Sequence, residues 1–193
     1  MEIKKLFIPG PTYVHPDVLA KMATPPIGHR TAEASALQRG ISEKLQQLMY
    51  TTNKIVLSTS SGTGLMEGAI RSLTQKKAIV FSVGAFGKRW WELARLNGIE
   101  ADLHEEEPGH PTMPETVEHY LKTGQYDVVT VTHNETSTGI QNPIESIAEV
   151  VSKYPDVIWL VDTVSSLGGV KVEVDRLGID VCISSSQKAL ALP

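Results

Sequence analysis

Hydrophobic positions follow two regimes along the chain. In the opening, residues 1–30, apolar side chains are scattered among Pro9, Pro11, Pro16, Pro25 and Pro26, a pattern that predicts an irregular, extended arm. From about residue 31 to residue 50, Leu37, Ile41, Leu45 and Leu48 recur at i, i+4, i+8 and i+11, which predicts a helix burying one stripe. From Lys54 onward short β-branched runs alternate with helical segments: runs at 55–57, 78–81, 128–131, 157–161 and 180–183, and helix candidates near 63–74, 87–97, 114–123 and 143–153. The runs are apolar at consecutive positions rather than at every second one, as in strands covered on both sides. The fold class this predicts is α/β, a mostly parallel sheet with helices on both faces, occupying residues 31–193. The chain stops on Ala189, Leu190, Ala191, Leu192 and Pro193 with no closing helix, which reads as an incomplete domain.

Composition narrows the function classes. The 193 residues carry a net charge of −4, with 18 basic side chains scattered among 22 acidic ones. A nucleic-acid partner is not expected, since phosphate neutralisation needs clustered Lys and Arg. No membrane partner is expected either: the longest uncharged stretch, residues 55–66, is short and rich in Ser, Thr and Gly. Cys182 is the single cysteine and the N-terminus lacks the apolar core of a secretory signal, so a reducing, cytoplasmic setting is expected.

Ligands of open parallel sheets lie beyond the carboxyl ends of the strands, and four polar clusters follow the apolar runs. Ser58–Gly64 leads into a helix candidate with hydroxyls and glycines, a composition that suits either a phosphate held on free N–H groups or an ordinary capped helix start. Asp162 ends a buried run and serves either as the ionised partner of a cation or as a turn cap. Lys188, among small hydroxyl residues, is either a solvated charge or an amine nucleophile toward a carbonyl. The run 132–139 offers the Thr136 hydroxyl to a ligand. His133 within it reads as a hydrogen-bonded structural residue, because no second His or Cys stands at ligand spacing, and no metal site is expected. An anion cradle, a strand-end carboxylate and a lysine on one sheet together meet the needs of pyridoxal 5'-phosphate: an anion site, a partner for the ring nitrogen and an amine for the aldehyde.

Six segments taken in order carry a more specific signal: residues 9–11 (Pro-Gly-Pro), 61–64 (Ser-Gly-Thr-Gly), 84–89 (Gly-Ala-Phe-Gly-Lys-Arg), 133–139, 161–169 and 186–190. They resemble the class V aminotransferases, specifically the alanine–glyoxylate and serine–pyruvate group. The resemblance implies the large domain of the aspartate-aminotransferase-like (fold type I) pyridoxal-phosphate enzymes. It implies Lys188 as the internal aldimine lysine and Asp162 as the partner of the pyridine nitrogen. Ser61, Gly62 and Thr63 would hold the phosphate, and Gln187 and Thr136 would contact the phosphate and ring edge. Phe86 would stack on the ring where the family often has Trp, leaving Trp90 and Trp91 to packing. The reaction implied is transfer of an amino group from a small amino acid, alanine or serine, to a 2-oxo acid such as glyoxylate or pyruvate, by a homodimer. Members of the family have a small C-terminal domain with an arginine for the substrate carboxylate, and Arg30, Arg71, Arg89, Arg95 and Arg176 match no such motif. Alternatives are a truncated non-catalytic cofactor-binding or dimerisation module, and a related aminoethylphosphonate-type transaminase or lyase.

Overall fold

The computed structural model describes residues 5–193. Seven strands and seven helices follow one another as α1 (Pro16–Lys21), α2 (Ala32–Met49), α3 (Gly62–Leu73), β1 (Ala78–Ser82), α4 (Ala85–Leu96), β2 (Ala101–Glu105), α5 (Pro114–Leu121), β3 (Val128–Thr132), β4 (Asn134–Glu135), β5 (Ile140–Gln141), α6 (Ile144–Val151), β6 (Ile158–Asp162), α7 (Val174–Leu177) and β7 (Val181–Ile183). Five of the strands form one sheet in the order β2-β1-β3-β6-β7, and every pairing in it is parallel. The short strands β4 and β5 make a separate antiparallel pair. Among the described residues no helix is long and apolar enough to cross a membrane.

The consecutive apolar runs are explained by two covered faces. Ile79, Phe81, Val129, Val131, Trp159 and Val161 point to one side, into a core with Val117, Leu121, Ile144, Ile147 and Leu177 from α5, α6 and α7. Ala78, Val80, Val128, Leu160 and Ile183 point to the other, against Met66 and Ile70 of α3 and Trp90, Leu93 and Ala94 of α4. The side chains of β1 and most of those of β3 and β6 are wholly buried, each worth about 1.5–3 kcal/mol for a large aliphatic or aromatic group. The chain runs from β1 outward to β2 and returns to the opposite side of β1 for β3. The strand order therefore reverses between β1 and β3, the place where a parallel sheet leaves a crevice at its carboxyl edge.

Three expectations are corrected. Residues 55–57 form no strand: they reach neither open edge of the sheet, and Val56 and Leu57 are 80% and 44% exposed. A strand lies instead at Ala101–Glu105, on the sheet edge beside β1. Helix α2 forms over Ala32–Met49, capped by the Thr31 hydroxyl accepting from Ala34 N–H, yet its stripe is not buried. Leu37, Ile41 and Leu48 face solvent and only Met49 enters the core, because nothing else in the described chain packs over that face. Residues 1–4 of the opening arm lie outside the described residues; from 5 to 30 it is irregular apart from the short α1.

Candidate active site

The carboxyl ends of β3, β6 and β7 lead into three of the four polar clusters that the sequence singles out. In register, Thr132 of β3 lies beside Asp162 of β6, which lies beside Ile183 of β7. Ile183 and Leu160 pack toward α3, and strand alternation puts Asp162 on that same face. Asp162 is buried, and one of its oxygens, Oδ1, accepts from Val164 N–H at 2.8 Å. Among the described residues no group donates to its other oxygen, Oδ2. Burial pushes the carboxyl up to about 6, with the nearby Glu135 adding to the rise and the Val164 amide opposing it. A carboxylate so placed is short of one proton donor.

Two loops hold Asp162 in place. The Thr163 amide and hydroxyl both donate to Ile183 O, at 2.7 and 2.9 Å. Asn134 Nδ2 donates to Ser165 Oγ at 3.0 Å, and that hydroxyl donates to Asn134 O at 2.7 Å. The backbone amide of His133 donates to Asp162 O at 2.8 Å. The His133 ring, buried and held below its usual range by desolvation, is neutral: Nε2 accepts from the Gln141 amide at 3.1 Å, which leaves Nδ1–H to donate to Ser166 Oγ at 3.0 Å. His133 is thus the hydrogen-bonded structural residue that the sequence suggests.

The other residues expected at the site lie at the start of α3, in the first turn of α4 and in the turns after β4 and β7. Ser61 caps α3, its Oγ accepting from Gly64 N–H at 3.2 Å, so the amides of Gly62 and Thr63 have no carbonyl below them to donate to. A Cβ on Gly62 would stand 3.0 Å from Val164 Cγ2, which brings this helix end against the loop after Asp162. Phe86 lies in the first turn of α4, beyond β1, with 42% of it exposed. Thr136 sits, partly buried, in the turn between β4 and β5, its hydroxyl without a hydrogen bond among the described residues. Gln187 and Lys188 lie in the turn after β7. Ala189 and Leu190, which follow them, pack on Gly168 and Gly169 of the Asp162 loop; Cβ atoms on those glycines would stand 3.2–3.7 Å away. The Lys188 ammonium donates to Pro9 O at 3.3 Å.

Four residues that sequence reasoning did not assign to the site belong to its surroundings. Glu135, fully buried, accepts from Phe86 N–H and Gly87 N–H through Oε2, both at 2.9 Å, and from the Ser137 amide and hydroxyl through Oε1 at 3.1 and 2.6 Å. It caps α4 from outside and fixes the backbone under Phe86; no side chain of the preceding segment does so. Thr12 bonds to the backbone of Gln187 and Lys188. Thr132 Oγ1 and Ser185 Oγ are buried without a partner. The spacing of Glu135 within the polar run was visible, but no local signal tied it to a helix 50 residues away.

These observations fit pyridoxal phosphate: an oxygen of Asp162 awaiting a donor, the orphaned hydroxyl of Thr132 in register with it, free amides at a helix N-terminus, an aromatic ring and an amine.

Comparison with known proteins finds aminotransferases among the relatives and solved structures. An aminotransferase of Methanocaldococcus jannaschii described as uncharacterized is 46% identical over 193 residues, covering 98% of this chain and 50% of the relative. The alanine–glyoxylate aminotransferase of Rattus norvegicus is 34% identical over 194 residues, covering 98% of this chain and 47% of its own. The crystal structure of an alanine–glyoxylate aminotransferase from Nostoc sp. superposes with a TM-score of 0.93 at 31% identity, over 100% of this chain and 52% of that one. The chain thus spans about half the length of the relatives it matches. The fold is that of the fold type I aminotransferases. The class V aminotransferase family model matches residues 16–193, and the chain belongs to that family.

Proposed function

We propose that this chain carries the cofactor site of a pyridoxal-phosphate-dependent aminotransferase that moves an amino group from a small amino acid, alanine or serine, to glyoxylate or pyruvate, and that it works as a homodimer. The observation that carries the reading is Asp162: a buried carboxyl with one oxygen unclaimed, on the sheet face that α3 covers and beside the loop of Lys188. The cofactor, when bound, supplies an aldehyde for an amine and a ring that takes up the electron pair left when the substrate Cα–H bond breaks.

The residues of the chain divide the remaining work. Lys188 holds the cofactor covalently and, when released, is the base that carries the Cα proton. Asp162, by accepting from the ring nitrogen at Oδ2, keeps that nitrogen protonated. Ser61, Gly62 and Thr63 bind the phosphate with amides and hydroxyls at the positive end of α3. Phe86 would offer its π-face to the ring, and Gln187 and Thr136 would contact the phosphate and ring edge. The choice of amino donor lies outside these residues, because a cofactor site does not select its substrate.

The test is direct. The full-length protein is mixed with pyridoxal phosphate, reduced with borohydride and digested. The expected result is a cofactor-mass adduct on the peptide bearing Lys188 and its absence in Lys188→Ala. A protein that gains no visible absorbance and no adduct would refute the assignment.

A further inference from the structure

We propose that residues 9–12 of the N-terminal arm form one wall of the lysine's site, and that Thr12 is a positioning residue that fixes the backbone carrying Lys188; this rests on Lys188 being the cofactor-bearing amine. The lysine lies in a turn after β7 rather than on a strand or helix. Within its own segment, residues 186–193, that turn is tied by Ala191 N–H donating to Lys188 O at 2.9 Å and Leu192 N–H to Ser186 O at 3.0 Å. From outside the segment the backbone is tied by Thr12, 176 positions from Lys188: its amide donates to Gln187 O at 3.0 Å and its hydroxyl to Lys188 O at 2.8 Å and Gln187 O at 3.3 Å. Four rotatable bonds separate a lysine's Cα from its amine, so the amine can be aimed only if the Cα is fixed.

Gly10 and Pro9 confine the other end of the side chain. A Cβ on Gly10 would stand 2.5 Å from Lys188 Cδ and 2.6 Å from Nζ, so the stem lies flat on a backbone that only glycine leaves clear. Gly10 also has φ +134, where an L side chain is strained. The Nζ of the unloaded lysine is held by Pro9 O at 3.3 Å. When the lysine reacts, its ammonium first loses a proton to solvent. The neutral amine then adds to the aldehyde carbon, a C=N bond forms and the carbonyl oxygen leaves as water, so the bond to Pro9 O is given up. The arm therefore holds the amine before the cofactor arrives and sets the direction from which it attacks.

The experiment follows the rate at which the full-length protein, stripped of cofactor, acquires the borohydride-stable adduct at Lys188 after pyridoxal phosphate is added, with the thermal midpoint measured in parallel. Thr12→Val, which removes the hydroxyl and keeps the shape, is expected to slow the linkage about tenfold, the worth of one net hydrogen bond, and Thr12→Ser to restore it. Gly10→Ala is expected to slow it at least as much. Wild-type labelling at Lys188 with an unchanged rate in Thr12→Val overturns the positioning role and leaves the lysine assignment standing. Wild-type labelling elsewhere, or none, overturns both. Should neither variant fold, hydrogen exchange on the wild-type protein decides: the Thr12 amide must be protected by Gln187 O, and free exchange there overturns the proposal.

Discussion

A carboxyl buried at a strand end is a cost that a folded chain bears until something compensates it, and Asp162 carries that cost in a measurable form. Folding moves its protonation from the ordinary 3.8 up to about 6, because burial disfavours the charge. Between those values the folded state binds more protons than the unfolded one. The contribution of Asp162 to stability is therefore fully present below 3.8 and lost as pH rises through about 6. At neutral pH the ionised group costs the unloaded protein on the order of 3 kcal/mol. Asp162→Asn is thus expected to raise the thermal midpoint of the unloaded protein near pH 8 and to lose that advantage near pH 4. The same substitution is expected to weaken catalysis at least about a hundredfold, because a neutral amide does not keep a ring nitrogen protonated. Calorimetry at the two pH values checks the first part and steady-state kinetics the second. A midpoint lowered by Asp162→Asn near pH 8 would mean that the carboxylate already has a partner in the folded chain.

Elements stand where they do because of contacts that no single position advertises. Helix α4 docks so closely on β1 that a Cβ on Gly87 would lie 2.7 Å from Ser82 Cα and 3.1 Å from Phe81 O, both immovable backbone. Gly87→Ala is expected to destabilise by about 1–3 kcal/mol, as overpacking does. Gly68, exposed in the interior of α3 with nothing within 4 Å of its would-be Cβ, is the contrast: Gly68→Ala is expected to stabilise by about 0.5–1 kcal/mol through helix propensity alone. Opposite shifts of the thermal midpoint check the pair, and a stabilising Gly87→Ala would show that α4 is not held as close as this.

The same contacts decide what was legible. The runs that became β1, β3, β6 and β7 were readable because both of their faces are covered and their apolar residues are continuous. Edge strand β2 pairs on one side only and intersperses Asp102, His104 and Glu105 with Ala101 and Leu103, so it left no such run. Residues 55–57 had the composition of a strand but no neighbour to pair with. At the candidate site, Asp162, Lys188 and Ser61–Gly64 could be singled out because each follows an apolar run, while the roles proposed for them came from the family resemblance and not from local pattern. Thr12 and Glu135 act through partners far along the chain, and no local pattern encodes those.

At the scale of the whole molecule, the unburied stripe of α2 is the largest departure from a self-contained fold. Leu37, Ile41 and Leu48 recur on one helical face and are 57%, 38% and 39% exposed, and the arm adds Phe7 at 92% and Ile8 at 52%. The periodicity that predicts a buried stripe is present, while the surface that would bury it is absent from the described residues. On the proposed homodimer, the second copy is the expected cover for the α2 stripe. The double substitution Leu37→Glu, Ile41→Glu places two like charges in the centre of that face, where burial without a counter-charge is strongly unfavourable. In the full-length protein it is expected to halve the mass measured by light scattering while leaving helix content unchanged, since both positions are solvent-exposed within one chain. A loss of folded protein would instead place the stripe against the remainder of the same chain. An unchanged dimer would place the contact between copies on another surface.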